Sequence, residues 1–107
     1  MFYEEVRGME VKPVMTGELT PVHIPIQMMS ITDRDGKLTP IWFKFETEDH
    51  FIEKIMIEKT ISRDESNKVG IREMRFICSA IFGETRRLLE IRYRIESHQW
   101  RIFQFLS

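Results

Sequence analysis

From Ile71 to Phe105 apolar and polar side chains alternate with a period of two, over a length that predicts three consecutive β-strands. Between Arg86 and Glu96, Leu89, Ile91, Tyr93 and Ile95 share one face, and Leu88, Glu90, Arg92, Arg94 and Glu96 share the other. The preceding run sets Met74, Phe76, Cys78, Ala80 and Phe82 against Glu73, Arg75, Ile77, Ser79 and Ile81. Gly83-Glu84 between them has the composition of a two-residue type II′ turn. That turn pairs Cys78 with Leu89, Phe76 with Ile91, Met74 with Tyr93 and, on the outer face, Glu73 with Arg94. A slip of one residue would set each core face against a solvent face, which makes this register checkable.

The polar stretch Glu96–Gln99 reads as the next turn. It predicts Ile95 opposite Trp100, Tyr93 opposite Ile102 and Leu89 opposite Leu106. The other face then pairs Arg94 with Arg101, Arg92 with Phe103 and Glu90 with Phe105. The final strand is apolar on both faces, so its second face needs a cover.

Upstream, Val22, Ile24, Ile26 and Met28 share a face, and Asp33–Gly36 forms a turn with Arg34 and Asp35 at its tip. This predicts Met28 opposite Ile41, Ile26 opposite Phe43 and Ile24 opposite Phe45. Pro25 and Pro40 remove ladder donors, so the hairpin should hold an edge or a bulge. A turn at Glu48-Asp49-His50 leads into Phe51–Ile61 and places Phe45 opposite Ile55, Phe43 opposite Ile57 and Glu46 opposite Lys54. Ser62–Val69 is an eight-residue polar connection and reads as the longest and most mobile loop. Residues 1–21, broken by Gly8, Pro13 and Gly17, read as an arm of one or two strands lying across the meander.

The expected fold is therefore all-β, with five main antiparallel strands in meander order plus one or two N-terminal strands, curled into a small barrel or roll. Its expected core is Ile26, Ile41, Phe43, Ile55, Ile57, Phe76, Ile91, Tyr93, Trp100 and Ile102.

Composition narrows the class. A chain of 107 residues, 42% apolar and 31% charged, builds one globular core. The net charge of −1 argues against strong non-specific attraction to nucleic acid or an anionic membrane. The charge is unevenly spread. Residues 1–67 hold eight Lys/Arg against thirteen Asp/Glu, whereas residues 68–107 hold eight against four. The single cysteine, Cys78, falls on a core position and reads as a small buried hydrophobe rather than a nucleophile. The acidic N-terminus does not read as a signal peptide, and no apolar run approaches the ~20 residues of a membrane helix, so a cytoplasmic location is expected.

Catalytic motifs are hard to find. Asp33-Arg34-Asp35-Gly36 has the outline of a calcium loop, but that alignment puts Ile31 and Trp42 at ligating positions, so a hairpin turn explains it. His23, His50 and His98 stand in separate segments with no spacing suited to a metal. There is no phosphate-binding glycine loop and no nucleophile elbow. No catalytic, cofactor-binding or metal-binding residue is assigned, and no cofactor is expected.

The one constellation that stands out lies on the face opposite the core. There Arg75, Arg92, Arg94 and Arg101 gather across three strands, with Ile77, Phe103 and Phe105 beside them. Basic residues interleaved with aromatics on a sheet hold single-stranded nucleic acid in several modules. The plainer reading is that the acidic arm folds over this face, with Glu4, Glu5 and Glu10 meeting the arginines.

Asp35-Gly36-Lys37-Leu38-Thr39-Pro40-Ile41-Trp42-Phe43, a turn, a proline and an aromatic strand, and the charged-then-aromatic ending from Glu90 to Phe105 together carry a resemblance. The chain resembles a group of short bacterial β proteins, mostly of Gram-positive species and their mobile elements, that have no assigned activity. The resemblance covers about the last two-thirds of the chain and implies an all-β domain of unknown function, with no catalytic residue to carry over. The expected function is a non-enzymatic binding or assembly module, acting on a protein partner or on itself, with single-stranded nucleic-acid binding as the alternative.

Overall fold

A computed structural model describes residues 21–107 of the chain. Residues 1–20, where the expected arm and its cover for the arginines would be, lie outside the described residues. Six antiparallel strands follow one another in meander order: β1 (Ile24–Thr32), β2 (Leu38–Glu46), β3 (Ile52–Lys68), β4 (Ile71–Phe82), β5 (Thr85–Arg94) and β6 (Gln99–Phe105). They close into a barrel, because β6 returns to β1 with Ile24 opposite Ile102, Pro25 opposite Arg101 and Ile26 opposite Trp100. Among the described residues no helix is long and apolar enough to cross a membrane.

The β4–β5 hairpin has the register its alternation predicts, with Cys78 on Leu89, Phe76 on Ile91, Met74 on Tyr93 and Glu73 on Arg94. Gly83 opens its two-residue turn at a φ of 66°, a backbone region open mainly to glycine. Inside the barrel, Phe43, Phe76, Cys78, Leu89, Ile91 and Ile102 are fully buried. Each large apolar side chain hidden this way contributes about 1.5–3 kcal/mol. At one end Trp100 stacks on Phe76 with ring centroids 5.6 Å apart, and Tyr93 leans on Trp100 at 4.7 Å. At the other end Phe43, Phe45, Phe82 and Phe105 form a chain of rings.

Three other registers differ from expectation by two residues, which keeps the inward faces inward. In β1–β2, Asp33 Oδ1 accepts from the amides of Asp35 and Lys37, and the Gly36 amide donates to the Asp33 carbonyl. Gly36, at a φ of 88°, thus adds a residue to the turn. A bulge follows opposite Met29 and Ser30, beside Pro40, which has no amide proton to give. Met28 therefore faces Phe43, and Ile41 drops into the bulge and out of the core. In β2–β3 the turn closes Thr47 on Phe51 with His50 left-handed at a φ of 68°, so Phe43 faces Ile55 and Glu46 faces Ile52.

In β5–β6 the loop is Ile95–His98, one residue earlier than expected. His98 donates its amide to the Arg94 carbonyl with a φ of 60°. Tyr93 faces Trp100, Ile91 faces Ile102 and Arg92 faces Arg101. A bulge between Ile91 and Glu90 then flips parity, and Phe105 turns inward opposite Leu89.

The largest correction concerns Ser62–Val69. It is not a loop. β3 runs 17 residues to Lys68, pairs along β4 to Ile71, and turns at Val69-Gly70. Two bulges, at Ile57/Lys59 and Thr60/Ser62, break the period-two pattern. Where β2 and β3 part, Arg63 donates to the Leu38 carbonyl and to Thr39 Oγ1, with its guanidinium 5.2 Å from the centre of the Phe76 ring.

Candidate functional site

The pairing of β4, β5 and β6 lines Arg75, Arg92 and Arg101 up in one row across the outer face, with Arg94 in the next. Like charges directly opposed on a ladder repel. Carboxylates within the same sheet answer them. Asp64, opposite Arg75, accepts two hydrogen bonds from it at 2.7 and 3.0 Å. Glu73 lies among the other three guanidiniums, 2.8 Å from Arg101 and 3.4 Å from both Arg92 and Arg94. Glu90 accepts from Arg92 Nε at 2.7 Å and from Gln104 at 2.8 Å.

Glu73 is only 6% exposed although it points out of the barrel. Burial pushes its carboxyl up, but the hydrogen bond from Arg101 and the charges of Arg101 and Arg92 outweigh this and hold it below its ordinary value. Four guanidiniums thus meet three carboxylates through charge-assisted bonds, Arg75 with Asp64 and the other three with Glu73 and Glu90. The face is close to neutral.

Of the six residues expected on this face, five are there. Phe103 lies under the Arg92 guanidinium at 3.4 Å and takes the edge of His23 at 5.0 Å. Phe105 is elsewhere: it turns inward past the bulge and packs on Phe82 at 5.9 Å, with Arg87 4.2 Å from its centre. Glu73 opposite Arg94 was readable from the alternation. Asp64 was not, because its strand carries no alternation to read.

A second surface escaped the sequence reading. Met29, Trp42, Met56 and Ile81 face one another in turn across β1, β2, β3 and β4 on the outside of the barrel. Met29 and Met56 are each 48% exposed, and Ile31, two residues along β1, is 57% exposed. Beside them Lys44 and Lys54 are directly opposed, with their ammonium groups 5.8 and 4.2 Å from the Trp42 ring. The following pair is Glu46 and Ile52, leading to the turn with Glu48, Asp49 and the exposed Phe51. The signal was present as the polar-face parity of Met29, Trp42 and Met56, but only the registers bring them side by side.

A third feature is a cleft of about 710 Å³ where β1 leaves β6, bordered by Arg94, Arg101, His23, His98 and Trp100. Cys78 is fully buried beside Thr60, and burial pushes its thiol up to about 11, which makes it inert at neutral pH. Among the described residues no group of three or more His, Cys, Asp or Glu side chains is placed to hold a metal ion. Compared with known proteins, the chain matches no family model, no curated protein and no solved structure.

Proposed function

We propose that the chain is a non-enzymatic assembly module that pairs with a second copy of itself through the outer face of β1, β2 and β3. The observation that carries this is the outward row Met29–Trp42–Met56–Ile81, an apolar stripe four strands wide with both methionines exposed and Trp42 and Ile81 half-buried. A protein surface rarely leaves such side chains contiguous unless something docks there. Charge changes along the same ribbon. Moving along it, an apolar pair (Trp42, Met56) gives way to a basic pair (Lys44, Lys54) and then to an acidic end (Glu46, Glu48, Asp49). Two copies related by a two-fold axis through the stripe set the row of one on the row of the other, as an isologous contact requires, with Lys44 and Lys54 at the rim.

Light scattering from micromolar to submillimolar concentration tests this. The expected result is a concentration-dependent dimer that Trp42→Ser weakens at least ~10-fold, as for an interface hot spot, while the thermal transition is retained. A monomer throughout that range overturns the proposal. Single-stranded nucleic-acid binding through Arg75, Arg92, Arg94, Arg101 and Phe103 is the weaker reading, because Asp64, Glu73 and Glu90 already engage those guanidiniums. Kinship with the short bacterial β proteins of unassigned activity belongs to the same proposal and rests on residues 35–43 and 90–105.

A further inference from the structure

The geometry points to a peptide-docking cleft at the seam between β1 and β6, and we propose that it takes an extended acidic peptide as an added strand. The inference rests on reading the chain as a protein-binding module, but it uses a different surface from the Met29–Trp42–Met56 stripe.

The first observation is backbone. β1 pairs with β6 only from Ile24 to Ile26, yet pairs with β2 from Gln27 to Thr32. From Gln27 onward, one edge of β1 has no strand beside it among the described residues. Such an edge offers amide protons and carbonyls to an incoming extended chain. The edge projects past the short β5–β6 turn, so a peptide there would continue the line of β6 beyond His98.

The second observation is charge. The cleft of about 710 Å³ beside this edge is bordered by Arg94, Arg101, His23 and His98, and no Asp or Glu stands among its described lining residues. Arg94 and Arg101 belong also to the arginine face, where Glu73 engages them, so what each still offers to the cleft decides. Arg101 is committed, donating to Glu73 at 2.8 Å and to His23 Nδ1 at 3.3 Å. Arg94 is less so: it reaches Glu73 only at 3.4 Å and its side chain is 41% exposed. It is the guanidinium best placed to meet a carboxylate from outside.

The third observation is the shape of the rim. His23 and His98, at φ values of 52° and 60°, are two of the four non-glycine residues in the left-handed region among the described residues, and both border this cleft. His98 is pinned there by the hydrogen bond its amide donates to the Arg94 carbonyl and by the Tyr93 hydroxyl at 2.8 Å from Nδ1. His98 takes this backbone as the last residue of the β5–β6 turn and His23 just before β1, so the two set the outline of the cleft mouth. Trp100, stacked on Phe76, forms the apolar wall. An added strand alternates its side chains, so one set rests toward Trp100 and the other, carrying carboxylates, lies over Arg94 and Arg101.

The test uses the full chain and a fluorescein-labelled, N-acetylated octapeptide of alternating valine and glutamate, read by anisotropy. The valine–lysine octapeptide and a backbone N-methylated valine–glutamate octapeptide serve as controls. The acidic peptide is expected to bind, to lose at least ~10-fold in affinity on Arg94→Ala, and to slow amide exchange across residues 27–32. Gln27→Glu, at an exposed position, supplies a second variant that should weaken the same peptide by repulsion. N-methylation should abolish binding, because it removes the ladder donors and keeps the charge.

No binding at millimolar peptide, or equal binding of the lysine peptide, overturns the proposal. Equal binding of the N-methylated peptide also overturns it, leaving an anion cleft without an added strand. A chain that scatters as a monomer and still binds the acidic peptide would remove the self-assembly reading alone.

Discussion

Glu73 is an outward-facing carboxylate hidden from water by the arginines that lean over it. Its stabilising effect belongs between two limits. An exposed pair such as Glu65 with Arg72, at 3.2 Å, contributes about 0–1 kcal/mol, whereas breaking a fully buried pair costs about 3–5 kcal/mol. Arg92, Arg94 and Arg101 keep some access to solvent, so Glu73→Gln should cost about 2 kcal/mol in denaturant unfolding. The sign with pH follows from the lowered carboxyl. Its contribution is present above the ordinary value of 4.5 and is lost as pH falls through the lowered one. The native chain should therefore lose stability on acidification below about 4.5, and Glu73→Gln should flatten that part of the curve. An unchanged acid limb in the variant would refute the assignment. Of this cluster, the Glu73–Arg94 pair was legible, since both residues sit on the polar parity of one secure hairpin. The reach of Arg101 to Glu73 was not, because it depends on a register two residues from the expected one.

Among the elements, the β3–β4 hairpin shows where alternation fails as a guide. Beyond its pairing with β2 it meets the core only through Arg63, whose guanidinium lies over Phe76, so Ser62 to Lys68 carries no apolar parity and reads as loop. Its turn is also disguised. Val69 at a φ of 52° and Gly70 at 80° form a two-residue turn with both φ values positive, for which asparagine–glycine is the favoured sequence and a β-branched residue is strained. Val69 is 99% exposed, so no packing offsets the strain. Val69→Asn should raise stability by roughly 1 kcal/mol without altering the fold. A loss of stability in thermal unfolding would mean that the turn has another conformation. The other hairpins show the same sensitivity in milder form. Gly36, His50 and His98 each take a left-handed backbone in a turn, and each of those turns ended in a register two residues from the alternation's own answer.

At the scale of the whole molecule, closure is the weakest link. β1 and β6 meet over three paired positions. The β4–β5 ladder, by contrast, is continuous from Glu73–Arg94 to Phe82–Thr85. Opening should therefore begin at the seam. In native-state hydrogen exchange the amides of Ile24 and Ile26 should be released at least ~10-fold faster than those of Phe76 and Cys78. Equal rates would show that the barrel opens only as a unit. A weak seam beside the proposed peptide cleft is also consistent with a site that accepts an added strand.

The sequence by itself determined which side chains point in and which point out along most strands, and the full register of β4 on β5. The reason is local: side-chain direction alternates with every residue, and a two-residue glycine turn leaves no freedom in pairing. Tertiary structure alone decided the remaining registers, the inward turn of Phe105, the burial of Glu73 beneath three arginines and the row of Met29, Trp42 and Met56. Each of these depends on bulges and left-handed turn residues whose placement is settled when six strands close on one another, which no stretch of alternation encodes.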